Sequence, residues 1–227
     1  MQTTNGNKLG TSGTATLNIR AEDFRAENIT FANTAGPIAQ AVAVLVAGNR
    51  AIFENCRFLG YQDTLYTFAK DSKQLYRDCY IEGTVDFIFG AATAFFDHCT
   101  INCLRNGYIT AAATQKDTPY GYVFKDCIIT AEPDICGYVF LGRPWRPYAK
   151  TVFIDCTLGR FIAPEGWHNW NNTENERTAF YGEYNSRDCN GVGIDYSKRV
   201  KWSRKIQPDE YSIEKVLYDA CRPEWYR

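Results

Sequence analysis

Two acids occupy matched places in the chain. Asp63 lies seven residues after Cys56 and Asp86 seven after Cys79, and both cysteines belong to copies of one short phrase. Other copies put Gly36, Asn106, Asp134 and Ala163 at that offset, so a single adjacent pair of copies carries two acids. On consecutive parallel strands, residues at equal offsets stack about 4.8 Å apart. Carboxyl groups that close do not ionise together: one pKa rises, the other falls, and the proton donor is separated from the nucleophile. A nearby arginine fixes which of them is the anion. Arg143 in Leu141-Gly142-Arg143-Pro144-Trp145 is the candidate, with Trp145 offering a flat apolar face. Gln62 precedes Asp63, and Gln40 sits on the copy before. The same spacing equally suits ordinary turn acids on a solvated face, where Asp beside Gly is common.

Other chemistries fit less well. No Gly-x-Ser-x-Gly elbow and no phosphate-binding or dinucleotide fingerprint occurs. His98, Cys99 and Cys103 hint at zinc, but there is no Cys-x-x-Cys pair and a fourth ligand is not apparent. No metal and no cofactor is expected. His168, between Trp167 and Trp170, is the second of the two histidines.

The elements that must place these residues are read from the repeat. Its copies are Phe53-Glu54-Asn55-Cys56-Arg57-Phe58, Tyr76-Arg77-Asp78-Cys79-Tyr80-Ile81, Phe96-Asp97-His98-Cys99-Thr100-Ile101, Phe124-Lys125-Asp126-Cys127-Ile128-Ile129 and Phe153-Ile154-Asp155-Cys156-Thr157-Leu158. Ile29 replaces Cys in an earlier copy, and the steps between copies are 27, 23, 20, 28 and 29 residues. A period of that length marks a solenoid. Each phrase alternates like a strand, Gly, Asn and Asp fall between phrases, and no long helical stripe intervenes. The fold class expected is all-β, a right-handed parallel β-helix with the cysteines stacked inward as small apolar residues. The segment from Ala163 to Tyr184 reads as a coil with long excursions. Tyr211, Val216, Leu217 and Ala220 suggest a short amphipathic helix over 208–221, packed outside or over the end of the stack. No linker divides the chain, so residues 1–227 read as a single domain.

Composition narrows the function. With 25 Lys plus Arg against 26 Asp plus Glu in 227 residues, no basic excess exists to bind nucleic acid. No apolar run approaches the ~20 residues of a membrane span, and Met1–Gly6 shows no leader pattern. Hydrophobic residues make up 45% and charged residues 22%, the balance of a packed globule. Aromatics, at 15%, suit sugar stacking and core packing alike.

Four blocks, in order, resemble the signature blocks of pectin methylesterases. They are Gln40-Ala41-Val42-Ala43-Val44, Gly60-Tyr61-Gln62-Asp63-Thr64-Leu65, Asp86-Phe87-Ile88-Phe89-Gly90 and Leu141-Gly142-Arg143-Pro144-Trp145, supported by Asn33–Pro37 and Gly166–Trp170. The resemblance implies a carbohydrate esterase on a parallel β-helix. It implies Asp86 as nucleophile, Asp63 as general acid and then base, Gln40 and Gln62 as oxyanion donors, and Arg143 as the partner of Asp86. Trp145 is implied as a sugar-contacting wall. Tyr61, Tyr66, Phe87 and Tyr148 lie near these blocks and are weaker candidates for lining the groove, with core packing at least as good a reading for Phe87.

The implied partner is methyl-esterified homogalacturonan, outside the cell or in the periplasm, acted on by a monomer that needs neither nucleic acid nor membrane. Members generally carry an earlier Gly-x-Tyr-x-Glu block that this sequence does not show, so it is expected to start two or three coils late and to be less stable for it. The rivals are a non-catalytic β-helix that binds acidic polysaccharide, an esterase of this fold acting on another ester such as a thioester, and a polyuronate lyase.

Overall fold

The computed structural model describes residues 10–227; the segment on which the leader reading rests lies outside them. Short parallel strands wind coil upon coil. The first described coil has β1 (Leu17–Ile19), β2 (Arg25–Glu27) and β3 (Thr30–Ala32), and the second β4 (Val44–Val46), β5 (Ala51–Glu54) and β6 (Arg57–Leu59). Next come β7 (Leu65–Thr67), β8 (Lys73–Arg77) and β9 (Tyr80–Gly90), whose second half opens the coil continued by β10 (Thr93–Asp97) and β11 (Thr100–Ala112). β12 (Tyr122–Lys125), β13 (Ile128–Ala131), β14 (Val139–Gly142), β15 (Lys150–Ile154), β16 (Thr157–Leu158), β17 (Phe180–Tyr184) and β18 (Arg204–Lys205) complete the stack. One sheet runs β18-β17-β15-β12-β10-β8-β5-β2 and the other follows β1-β4-β7-β9-β11-β13-β16, with β3, β6 and β14 joined at its sides. This is a right-handed parallel β-helix.

Register reproduces the sequence period. Arg25 lies opposite Ile52, Ile52 opposite Leu75, Leu75 opposite Phe95, Phe95 opposite Val123, and Val123 opposite Val152, which are the steps of 27, 23, 20, 28 and 29 residues. The repeated phrase is not one strand, however. It is two strands meeting at a one-residue corner, where Asn55, Asp78, His98, Asp126 and Asp155 take φ of 48–55°. Short polar side chains tolerate this left-handed conformation better than others do. The corner keeps the ladder intact: Asp78 N–H donates to Asp97 O at 3.0 Å and Asp126 N–H to Ile154 O at 3.0 Å.

After each corner the cysteine turns inward. Cys56, Cys79, Cys99, Cys127 and Cys156 are buried free thiols, and each donates to a carbonyl of the preceding coil, as Cys79 does to Phe53 O at 3.4 Å. Before each corner an aromatic ring stacks on the ring of the next coil. The column runs Phe53, Tyr76, Phe96, Phe124, Phe153, with centroid spacings of 5.0, 4.8, 4.4 and 4.4 Å. Such offset stacks add to the apolar area they bury.

The C-terminal segment covers the outside of the eight-stranded sheet. In place of one helix over 208–221 there is a 3-10 turn at Pro208–Tyr211 and one short helix, Ile213–Val216, capped by Ser212. Extended backbone at Ser212, ψ 152°, separates the two and ends the helical run expected from periodicity. Val216, Leu217 and Tyr226 bury the outward residues Ile52, Leu75, Phe95, Val123 and Val152. Asp219 anchors this strap, 3.3 Å from Lys73 Nζ and 3.7 Å from Arg50.

Phe96 sits in mid-column, fully buried. Phe96→Ala is expected to cost about 3–5 kcal/mol, whereas Phe68→Ala, at an exposed ring, should stay within about 0.5 kcal/mol. Urea unfolding of both variants measures the contrast, and equal costs would contradict the column as a principal source of stability.

Candidate active site

The two acids stand at a second corner, Asp63 just before β7 and Asp86 at a left-handed bend within β9. Leu65 lies opposite Ile88 and Tyr66 opposite Phe89, so Asp63 and Asp86 are one rung apart. Asp63 N–H donates to Val85 O at 3.2 Å and pins that register. Both acids are in the left-handed region, φ 65° and 52°, and both are buried, with 4% and 7% of their surface exposed.

Arg143 comes from two rungs further along. Its backbone N–H donates to Thr110 O at 2.9 Å, beside β11, which separates its coil from that of Asp86. The residue of β11 opposite Phe89 is Ala111, whose methyl leaves room for the long side chain to pass. Gly142 allows the close approach, since a Cβ there would lie 2.0 Å from Thr110 Oγ1. Arg143 then grips Asp86 with both arms, Nε to Oδ1 at 2.8 Å and one terminal nitrogen to Oδ2 at 2.7 Å. Its Cζ is 3.8 Å from the ring centres of both Tyr108 and Trp170, so the guanidinium is sandwiched between them. Planar, delocalised charge suits both the fork and the stacking.

The acids differ in charge because they differ in partners. Burial, reinforced by the charge of Asp86, pushes Asp63 up to about 7, with Arg143 opposing. Burial leaves Asp86 raised as well, with the hydrogen bond and charge of Arg143 opposing it. Of the two, Asp86 therefore carries the anion and Asp63 retains the proton near neutrality.

A cleft of ≈ 170 Å³ holds Gln40, Gln62, Asp63, Asp86, Arg143 and Trp145 together with Phe89 and Trp170. Thr11 Oγ1 donates to Gln40 Oε1 at 3.0 Å, which occupies the amide oxygen and leaves the NH₂ group to donate elsewhere. The loop leading to Gln40 is held by Asn33, whose Nδ2 donates to Thr14 O and Val42 O at 3.0 and 2.9 Å. Tyr66 is buried, stacked on Phe89 at 4.1 Å and 6.3 Å from Trp145, so it backs the cleft without lining it.

Three expected groove residues are elsewhere. Phe87 is completely buried in the core cluster, because it directly follows the left-handed corner at Asp86, after which both Phe87 and Ile88 face inward. Tyr61 and Tyr148 are half-buried but do not line the cleft; Tyr148 packs under Lys116. Phe89, Tyr108 and Trp170 were not singled out from the sequence. Alternation along β9 would put Phe87 and Phe89 on one face; the corner at Asp86 breaks that period and sends Phe87 to the core and Phe89 to the cleft. The aromatic block Gly166–Trp170 pointed to Trp170 without giving it a task.

The zinc set does not assemble. Cys99 and Cys103 are buried while His98 points outward beside Asp97, 2.8 Å from Nδ1 to Oδ1. Among the described residues, Asp97, His98 and Asp126 are the group whose ligand atoms converge, within 4.8 Å, and they sit on the outer corner rather than in the cleft.

A parallel β-helix with two stacked acids, one of them clamped by an arginine, in an aromatic cleft defines an enzyme-like site on a solenoid scaffold. Comparison supplies the family. The pectinesterase family model matches residues 2–216, and the chain belongs to that family. It is 48% identical over 205 residues to pectinesterase 31 of Arabidopsis thaliana, covering 88% of this chain and 62% of that one. Among solved structures, the carrot pectin methylesterase superposes with a TM-score of 0.81 at 32% identity, over 91% of this chain and 67% of that one. A pectin methylesterase in complex with a hexasaccharide gives 0.82 at 29% identity, over 96% and 77%. The chain spans less than two thirds of the length of the first curated relatives it matches, 62% and 54%.

A raised folded-state pKa makes Asp63 a stability liability. The contribution of its protonated form is fully present below the unfolded value of about 3.9 and is lost as pH rises through about 7. Asp63→Asn, which keeps the shape without the charge, is therefore expected to be more stable than the parent at pH 8 by about 1–3 kcal/mol. The gain should shrink as pH falls toward 4. Urea denaturation across pH tests this, and a variant no more stable at pH 8 would contradict the assigned protonation.

Proposed function

We propose that the chain hydrolyses C6 methyl esters of polygalacturonate, releasing methanol and a free carboxylate. One observation carries the reading: two buried acids stand one rung apart and only Asp86 is clamped by an arginine. A binding protein for acidic polysaccharide gains nothing from such a pair, whose charge repels a polyuronate. Membership of the pectinesterase family supplies the substrate class.

In this reading the ester carbonyl lies over Asp86 between the glutamines. One oxygen of Asp86, keeping a lone pair beyond its bond to Arg143, attacks the carbonyl carbon. The negative charge that develops on the carbonyl oxygen is met by the side-chain NH₂ groups of Gln40 and Gln62. Asp63 gives its proton to the departing methoxy oxygen, so methanol leaves and an anhydride joins the substrate acyl group to Asp86. Asp63, now ionised, takes a proton from water as the hydroxide adds to the acyl carbon. Collapse regenerates Asp86 and frees the galacturonate carboxylate. Trp145, beside the floor of Tyr66 and Phe89, supplies an apolar wall for a sugar ring. A polymer of this kind places the activity outside the cell or in the periplasm.

Highly methylated pectin should yield methanol with this chain, and Asp86→Asn should slow release by about 10³-fold or more. Absence of methanol from the folded parent, or full activity in the variant, refutes the assignment. Because the first step needs the Asp63 proton, kcat/KM is expected to fall as pH rises through about 7, the value of the buried acid. An alkaline limb unchanged in position in a residually active Asp63→Asn variant would remove Asp63 from that role.

A further inference from the structure

Behind the Arg143 sandwich lies a residue with no part in the chemistry above. His168 is half-buried, with its ring 5.4 Å from Tyr108 and 5.5 Å from Phe140. Its backbone N–H donates to Gly142 O at 3.1 Å, next to Arg143 itself. Its ring Nδ1 accepts the backbone N–H of Trp170 at 3.1 Å. One imidazole thus touches Tyr108, ties Trp170 and borders the backbone that launches the arginine.

The turn it ties is strained. Trp170 and Asn171 both adopt the left-handed conformation, φ 62° and 54°. A bulky residue rarely does so unless its surroundings hold it there. The bond from Trp170 N–H fixes the neutral tautomer of His168, with the proton on Nε2. A protonated ring has a donor at Nδ1 as well and cannot accept that N–H.

We propose that His168 is a positioning residue for the esterase reaction: in its neutral form it holds the Trp170 and Tyr108 rings against Arg143 and thereby orients Asp86, and its protonation releases them. The proposal rests on the ester-hydrolysis reading of the same cleft. The groups facing the imidazole are Arg143 from the loop after β14, Tyr108 from β11, the apolar Phe140 of β14 and the Trp170 amide. Burial first, and then the charge of Arg143, hold the His168 pKa below its ordinary value of 6.5. The sign follows: the tie is intact above the ordinary pKa and is lost as pH falls through the lowered one.

Two substitutions separate positioning from bulk. His168→Asn places an amide oxygen where Nδ1 stood and cannot titrate, whereas His168→Leu keeps volume and removes the acceptor. On methylated pectin, His168→Leu should lose about tenfold or more in kcat with a smaller change in KM, since a displaced reacting group costs rate before binding. His168→Asn should recover kcat to within about threefold and move the acid limb of its pH profile to lower pH. Equal kcat in all three proteins with superimposable acid limbs would overturn the proposal. An NMR titration decides it without turnover. The ring signals of His168, distinguished from those of His98 by His98→Gln, and the Trp170 backbone amide should shift with one common midpoint below 6.5. A Trp170 amide that ignores the imidazole refutes the link, even if methanol is never released and the esterase reading has failed by itself.

Discussion

In-register hydrogen bonding between successive coils is the constraint on which the rest of this molecule depends. Each strand pairs with its equivalents on neighbouring coils, so a residue's place is set by its rung and its offset within the rung. Loops between strands vary in length, as the steps from 20 to 29 residues show, and the paired segments keep register apart from a local shift between Cys103 and Thr110 of β11. A slip of one residue would turn the aromatic column and the cysteines out to solvent together. The left-handed corners are the device that prevents it. They turn the chain with a single residue while leaving its N–H in the ladder, as Asp126 N–H to Ile154 O shows.

The cleft inherits its geometry from that constraint and its chemistry from a departure within it. Matched offsets place Asp63 over Asp86, a contact that two flexible loops could hold only at a large entropic cost. Stacking alone would leave the acids equivalent. Arg143 breaks the equivalence from two rungs away by binding only Asp86, on a strand that Gly142 lets close against Thr110. On the one intervening rung the small side chain of Ala111 lines the cleft beside Arg143.

Legibility in the sequence followed the same division. The coils, the inward cysteines and the register of Asp63 with Asp86 could be read because a solenoid converts linear spacing directly into stacking. The one-residue corners were hidden, because Asn-Cys or Asp-Cys within an alternating phrase looks like uninterrupted strand until φ is known. Phe87 was open between groove and core, and the core reading holds because the left-handed corner at Asp86 turns both Phe87 and Ile88 inward. The helix expected over 208–221 was shortened because its apolar residues match an outer sheet face rather than a continuous helical stripe. Trp170 and His168 escaped for a different reason. They come from the irregular stretch between β16 and β17, where no period relates position to space.

That irregular stretch explains how a rigid stack supports a precise site. The coils fix Cα positions to the rung, but a guanidinium at the end of three methylenes keeps considerable rotamer freedom. Backbone register cannot remove it. Lateral confinement can, and the rings of Tyr108 and Trp170 at 3.8 Å supply it on both faces. Tyr108 is borne by β11, whereas Trp170 belongs to a strained turn that needs its own ties. Asn175 Nδ2 donates to Asn169 O at 3.1 Å, and Asn169 Nδ2 reaches Glu176 at 2.7 Å, bracing the turn from the far side. The site is therefore built in two layers of different rigidity, a periodic one that places the acids and an aperiodic one that holds the arginine still. The second layer has fewer bonds and an ionisable member, so it is the layer through which pH acts on the geometry of the first.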